Sequence, residues 1–170
     1  MSVLEVLKKR RSIHKYQKKP VESNKVIKVL EAARLGPSAG NLQPCQFIVV
    51  TDEAVRERLK ASYTAEWLGS APVIIVGCVN PKEAWRRRDK EEYWKVDAAI
   101  AMQNLILAAT EEGLGTCWTA KFDEKAAKKA LNIPKEIRVV AMTPLGYPEE
   151  EKGLVSDRKP LDKLVHYNQW

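Results

Sequence analysis

The sequence predicts an α+β or α/β domain in which helices pack on a sheet. Three observations carry that reading. Apolar β-rich runs and stretches of helical periodicity alternate along the chain, about four of the first and five of the second. The run from Pro72 to Val79 is apolar throughout, as a strand buried on both faces is. The stretch from Val96 to Thr110 is apolar nearly all round, as a helix buried in a core or at a subunit interface is. At 170 residues, without internal repeat, linker or low-complexity segment, the chain reads as one domain covering 1–170.

The elements follow in order. Ser2 with Glu5 forms a capping box, and Val3, Leu4, Val6 and Leu7 give a short helix to about Lys9 an apolar face. A basic stretch, Lys8 to Tyr16, comes next, and Pro20 closes it. Ser23 is suited to cap a second helix, with Val26, Ile27, Leu30 and Ala33 at helical spacing and Gly36-Pro37 as its stop. The segment Ser38 to Pro44 has loop composition, and Phe47 to Thr51 reads as a strand. Glu53 to Ser62 is helical in pattern. Asn80-Pro81 stops the second strand, and a charged, aromatic segment from Trp85 to Trp94 follows. Gly113-Leu114-Gly115 ends the long helix, Thr116 to Thr119 is a short strand, and Asp123 caps a helix to Leu131. Ile137 to Leu145 is a strand broken by Pro144. The tail from Asp157 to Trp170 is polar but carries Leu161, Leu164, Val165 and Trp170, which want a partner surface.

Composition narrows the function classes. The longest apolar run, Ala71 to Val79, is too short for a bilayer, which needs about 20 residues. The first residues are too polar for a signal peptide. Cys45, Cys78 and Cys117 are odd in number and show no metal-ligand spacing, so a reduced cytoplasm and small buried hydrophobes are the favoured reading over reactive thiols. The net charge of +7 is spread along the chain, which suits a solvated surface better than a nucleic-acid footprint.

Familiar motifs are mostly absent. Gly113-Leu114-Gly115 lacks the third glycine of a dinucleotide fingerprint, since position 118 is Trp118, and the helix precedes rather than follows it. There is no P-loop, no HExxH and no GxSxG elbow. Arg10-Arg11-Ser12 places two guanidiniums beside a hydroxyl, matched to phosphate oxygens, although a solvated basic turn has the same composition. Pro37 to Pro44 joins small residues, which let a ligand approach the backbone, to Asn41 and Gln43, which suit a heterocycle's edge; an ordinary turn reads the same way. Arg158-Lys159 is a third basic cluster, far away in sequence.

Taken together and in order, these segments resemble the nitroreductase family over essentially the whole chain. The resemblance rests on Arg10-Arg11-Ser12-Ile13, on the loop Pro37-Ser38-Ala39-Gly40-Asn41-Leu42-Gln43-Pro44, on Asp97 to Leu105 with Gly113 to Trp118, and on Arg158 to Tyr167. It implies an α+β fold with a mixed, mostly antiparallel central sheet flanked by helices, and an intertwined homodimer whose tail, 157–170, packs on the partner subunit. It implies one FMN at each of two interface sites. Arg10, Arg11 and Ser12, joined by Arg158 and Lys159, would hold the phosphate and ribityl end. Pro37, Ser38, Ala39 and Asn41, with Gln43, would reach the flavin from the other subunit, and the backbone near Thr119 and Ala120 would lie by flavin N5.

The activity implied is a ping-pong transfer from NADH or NADPH, through flavin N5, to a small nitroaromatic or quinone-like acceptor. The flavin carries that chemistry, and no side chain is assigned as acid or base. His14 stands where many members have arginine or lysine, which makes that flavin contact pH-dependent. Ala39 replaces a frequent serine, and the segment after Trp118 lacks the usual glycine pair. The segment 85–94 is either a lid, with Arg86, Arg87 and Arg88 meeting dinucleotide phosphates, or a solvated charged helix, which is the favoured reading. Two other readings stand beside the oxidoreductase: a non-catalytic nucleic-acid-binding module, and the same fold used for another reductive reaction such as dehalogenation or flavin fragmentation.

Overall fold

Seven consecutive buried residues, Val73–Val79, form the central strand β2 of the computed structural model, which describes residues 1–63 and 66–170. On one side lies β1 (Cys45–Val50), on the other β4 (Arg138–Gly146), and the two-residue β3 (Gly115–Thr116) completes the order β1-β2-β4-β3. Every ladder is antiparallel; a parallel bridge from Ser12 to Thr116 supplies the mixed character expected of the sheet.

Alternation along β2 assigns its side chains to two cores. Val73 and Ile75 point to helices α2 (Ser23–Arg34) and α4 (Trp94–Glu111), where Val29, Ala33, Met102 and Leu105 are buried. Ile74, Val76 and Cys78 point the other way, to α3 (Glu53–Lys60) and α5 (Glu124–Leu131), meeting Leu59 and Ala127. The result is an α+β domain with helices on both faces of one sheet. Each fully buried aliphatic side chain contributes about 1.5–3 kcal/mol from area removed from water. No helix among the described residues is long and apolar enough to cross a membrane.

Local chemistry explains the helix ends. The capping box of α1 (Val3–Lys9) forms as expected, with Ser2 N–H donating to the Glu5 carboxylate at 2.6 Å and Glu5 N–H to Ser2 Oγ. Asp123 accepts from the N–H groups of Lys125 and Ala126 at the start of α5, and Asn132 ends that helix in the left-handed region at φ 54°. Ser23 is not the cap of α2. It is the first helical residue, and Glu22 holds the cap position while its carboxylate accepts from the Tyr147 hydroxyl at 2.6 Å.

Three further expectations are corrected. Pro144 does not break β4. Met142 N–H donates to Thr119 O on the β3 side, so two residues on the Pro144 nitrogen faces that side too, and the β2 ladder loses no donor. Thr116 to Thr119 is not one strand: β3 ends at Thr116, and Thr119 returns as an isolated bridge to Met142. Of the segment 85–94, residues 85–93 form a tight antiparallel turn rather than a helix, and Trp94 opens α4. Arg86 bridges Glu92, Arg87 N–H donates to Glu91 O, and Lys90 takes φ 71°.

Close approach explains Gly115. A Cβ there would sit 2.9–3.0 Å from Cβ, Cγ1 and Cγ2 of Ile13, atoms close to the backbone that cannot swing aside. Gly115→Ala is therefore expected to lower unfolding free energy by about 1–3 kcal/mol through overpacking, read from the urea midpoint; a midpoint equal to the parent would show that the 11–14 segment moves freely. The three cysteines form no disulfide among the described residues, with Cys78 and Cys117 buried and Cys45 half-buried. Burial, and for Cys45 the nearby Asp97 charge, pushes Cys45 and Cys78 up to about 11. Higher thiol pKa values leave little thiolate at pH 8, so Ellman's reagent should react slowly with the native protein and with three thiols after denaturation. A rapid native thiol would contradict this packing.

Candidate functional site

The site begins where α1 stops. Arg10 leaves the helix at φ −58°, ψ 121°, and the extended chain then runs onto β3, with Ser12 bridging Thr116 and Ile13 N–H donating to Thr116 O at 2.9 Å. Strand alternation sends Arg10, Ser12 and His14 to one side and Arg11 and Ile13 to the other. The two arginines are thereby separated. Arg11 turns to the backbone carbonyls of Gly153 and Leu154. Arg10 faces a cleft of about 550 Å³ that Lys8, Arg158, Gln103 and Trp118 also line. Among the described residues three cations and no carboxylate line this cleft, and Arg158 pairs with Asp157, outside the lining, at 3.1 Å. Among the described residues the Arg10 guanidinium has no hydrogen-bond or ion-pair partner.

The distant basic cluster thus meets Arg10 in part. Arg158 lines the cleft, while Lys159 is exposed outside its lining. Beneath the segment, Lys152 Nζ donates to Ser12 O at 2.6 Å and pairs with Glu150 at 3.1 Å, and His14 N–H donates to Glu150 Oε1 at 2.8 Å. That backbone donor, followed by Lys152, holds the Glu150 carboxyl below the usual carboxylate range. The His14 ring lies 4.5 Å from the Trp67 ring, and its Nε2 lies 3.3 Å from Cys117 Sγ. Burial raises the Cys117 thiol, against the opposing pull of a hydrogen bond from the Ser12 side chain and the charges of Lys152 and Arg10.

The loop of small residues lines a different cleft, of about 600 Å³, to which Pro37, Ser38 and Gln43 contribute together with Phe47 and Asp97. Its backbone is unusual. Gly40, Asn41 and Gln43 all lie in the left-handed region, at φ 60°, 56° and 53°, and two of the three carry side chains. Inside the loop, Gln43 N–H donates to Ser38 Oγ at 2.9 Å and Gln43 Nε2 to Asn41 O at 3.2 Å. Ala39 N–H donates outward, to Asp97 Oδ1 at 2.9 Å. The turn 85–93 lies beside the loop, for Trp85 Cδ1 lies 3.6 Å from where a Gly40 Cβ would stand. Arg86 and Arg87 of that turn are occupied by Glu92 and Asp89.

Thr119 and Ala120 differ in what they can offer. The Thr119 N–H and C=O are both spent on Met142, at 2.9 Å each, and its side chain is buried. Ala120 is exposed, and its N–H has no partner among the described residues. Asp97 was the residue least visible as a site candidate: a lone acid in an apolar helix gives no signal until the loop folds over it.

The chain matches the family model described as "Nitroreductase family" at residues 7–68 and 60–147. It is 31% identical to a protein named NADH dehydrogenase from Thermus thermophilus, with 92% of this chain and 91% of that one covered. Among solved structures it resembles an FMN-dependent nitroreductase from Clostridium difficile R20291, at 32% identity, TM-score 0.83 and coverage of 98% and 99%. It also resembles a nitroreductase family protein from Clostridium difficile 630, at 29% identity, TM-score 0.89 and complete coverage of both chains. The fold, the order of its segments and these matches agree, and the chain belongs to the nitroreductase family.

Proposed function

We propose that this protein is an FMN-dependent oxidoreductase that takes electrons from NADH or NADPH and passes them to a small acceptor such as a nitroaromatic or a quinone. The observation that carries the reading is the cleft lined by Lys8, Arg10 and Arg158, in which, among the described residues, the Arg10 guanidinium has no protein partner and Arg158 pairs only with its exposed neighbour Asp157 at 3.1 Å. A phosphate dianion fits such a donor set. The relatives support the cofactor and the donor, since one is named FMN-dependent and another NADH dehydrogenase.

In this reading Arg10 and Arg158 bind the phosphate, with Lys8 adding charge at the cleft mouth. Ser12 stands next along the same face of the strand, toward the ribityl chain. Trp118, 38% exposed, offers a flat apolar surface. Ala120, whose N–H has no partner among the described residues, offers that donor to a heteroatom edge. Bound FMN supplies the two-electron carrier between donor and acceptor. The protein's part is to bind, orient and exclude water through the apolar walls Leu4, Leu7, Ile106 and Val155. No side chain is assigned as proton donor, and water fills that role.

The site is assembled from two copies of the chain. Within one chain the loop Pro37–Gln43 and the Arg10 cleft are lined by separate sets of residues. Large apolar side chains also stand uncovered: Val3, Leu4, Ile27 and Leu35 are each 65–72% exposed, and the tail leaves Leu161, Tyr167 and Trp170 in solvent. A second copy burying this surface brings its loop, Ser38, Asn41 and Gln43 included, to the first copy's cleft, and seats each tail on the other chain.

The purified protein is expected to show oxidised-flavin bands near about 370 and 450 nm that bleach anaerobically with NADH or NADPH. A colourless protein that takes up no added FMN would remove the proposal. Arg10→Ala should weaken FMN binding by about 10- to 100-fold, the cost of a hydrogen-bonded charged contact, with the circular dichroism of the apoprotein unchanged; parent-like affinity would move the phosphate elsewhere. Sedimentation at micromolar concentration should give a dimer, and a monomer retaining stoichiometric FMN would refute the shared site.

A further inference from the structure

We propose that Asp97 is a positioning residue that holds the loop Ser38–Gln43 in its ligand-ready shape through the Ala39 N–H. This inference rests on the flavin-binding reading above and adds a residue that acts through the loop backbone. Asp97 sits in the first turn of α4, only 2% exposed. A carboxylate is tolerated there because the helix N-terminus favours negative charge. Its Oδ1 accepts from Ala39 N–H at 2.9 Å, while Oδ2 is buried and has no partner among the described residues.

Two features separate this from ordinary core packing. First, every other hydrogen bond of Ser38–Gln43 among the described residues stays inside the loop: Asn41 N–H to Ser38 O, Leu42 N–H to Ala39 O, and the two made by Gln43. Asp97 is therefore the polar tether that fixes the loop against a rigid element. The loop needs one, because Asn41 and above all Gln43, which carry side chains, occupy left-handed backbone that persists only where surroundings over-determine it. Second, a buried carboxylate with an orphaned oxygen is a poor stabilising device. The arrangement spends stability on the geometry of one backbone turn, as binding sites do.

The opposite end of the bond is equally testable. Ser38 lies at φ −130°, ψ 152°, the backbone that proline requires of its predecessor, and Ala39 opens a 3₁₀ turn, whose φ suits proline. Ala39→Pro thus removes the donor with little backbone strain, as Asp97→Ala removes the acceptor. Asp97→Asn keeps an oxygen facing Ala39.

The experiment titrates FMN into apoprotein of the parent and of the three variants by quenching of flavin fluorescence, and records each apoprotein's urea midpoint. Asp97→Ala and Ala39→Pro should each weaken FMN by about 10- to 100-fold, and the double variant no more than either, because both remove one bond to a charged acceptor. Asp97→Asn should bind within about threefold of the parent. The apoprotein midpoint of Asp97→Ala should equal or exceed the parent's. The proposal is overturned if Asp97→Ala binds FMN like the parent, if Asp97→Asn loses as much as Asp97→Ala, or if affinity and urea midpoint fall together in every variant. Should Asp97→Ala fail to fold, the contrast between Ala39→Pro and Asp97→Asn decides alone. A parent that binds no FMN would instead defeat the functional reading, and this inference with it.

Discussion

Ile13 lies over Gly115 with no room for a β-carbon between them, and the consequences of that contact spread through the binding region. It lets the chain leaving α1 lie directly along β3, held by the Ile13–Thr116 hydrogen bond and the Ser12–Thr116 bridge. Once the segment lies as a strand, alternation decides which side chain does what. Arg10 faces the cationic cleft, Arg11 is turned to the carbonyls of Gly153 and Leu154, and Ser12 and His14 meet Cys117. Lys152 and Glu150 secure the segment from below through Ser12 O and His14 N–H.

The molecule divides its tasks between a rigid frame and strained attachments. The frame is β2, buried on both faces and covered by α2 and α4 on one side and α3 and α5 on the other. The attachments at its rim are the left-handed backbone of Asn41 and Gln43 and the buried Asp97 carboxylate that ties their loop down. Strain of this kind collects where ligands are held, and a deep apolar core supplies the stability that sustains it. Trp85 stands next to Gly40, which gives the turn that carries it a place beside the loop.

Much of this was legible in the sequence because it rests on local rules. Ser2 with Glu5, Asp123, the unbroken apolar run into Val79 and the apolar helix ending at Gly113 each became the element their chemistry predicts. What was hidden depends on neighbours distant along the chain. Ser23 yields the cap position because Glu22 is drawn to Tyr147, 125 residues away. Pro144 survives in a strand because its nitrogen faces the side where β3 has ended. The Arg10-Arg11 pair looks like one anion clamp until strand alternation splits it. The meeting of Arg10 with Arg158, and of Asp97 with Ala39, is a property of the folded chain alone. Family resemblance, carried by the order of several weak motifs, reached the fold before any single motif could.

The proposed binding site needs the cationic cleft of one chain and the left-handed loop of another. Subunit complementation tests it most directly. Arg10→Ala chains and Asn41→Ala, Gln43→Ala chains, each impaired in FMN binding as homodimers, are unfolded together, refolded as a mixture and titrated with FMN. Random pairing of a two-fold dimer makes half the dimers mixed, each with one intact site, so about a quarter of all sites should regain parental affinity. A mixture that binds no better than the average of its two components, while subunit exchange is complete, would mean that cleft and loop serve one site within a single chain or separate sites altogether, and the account would fail.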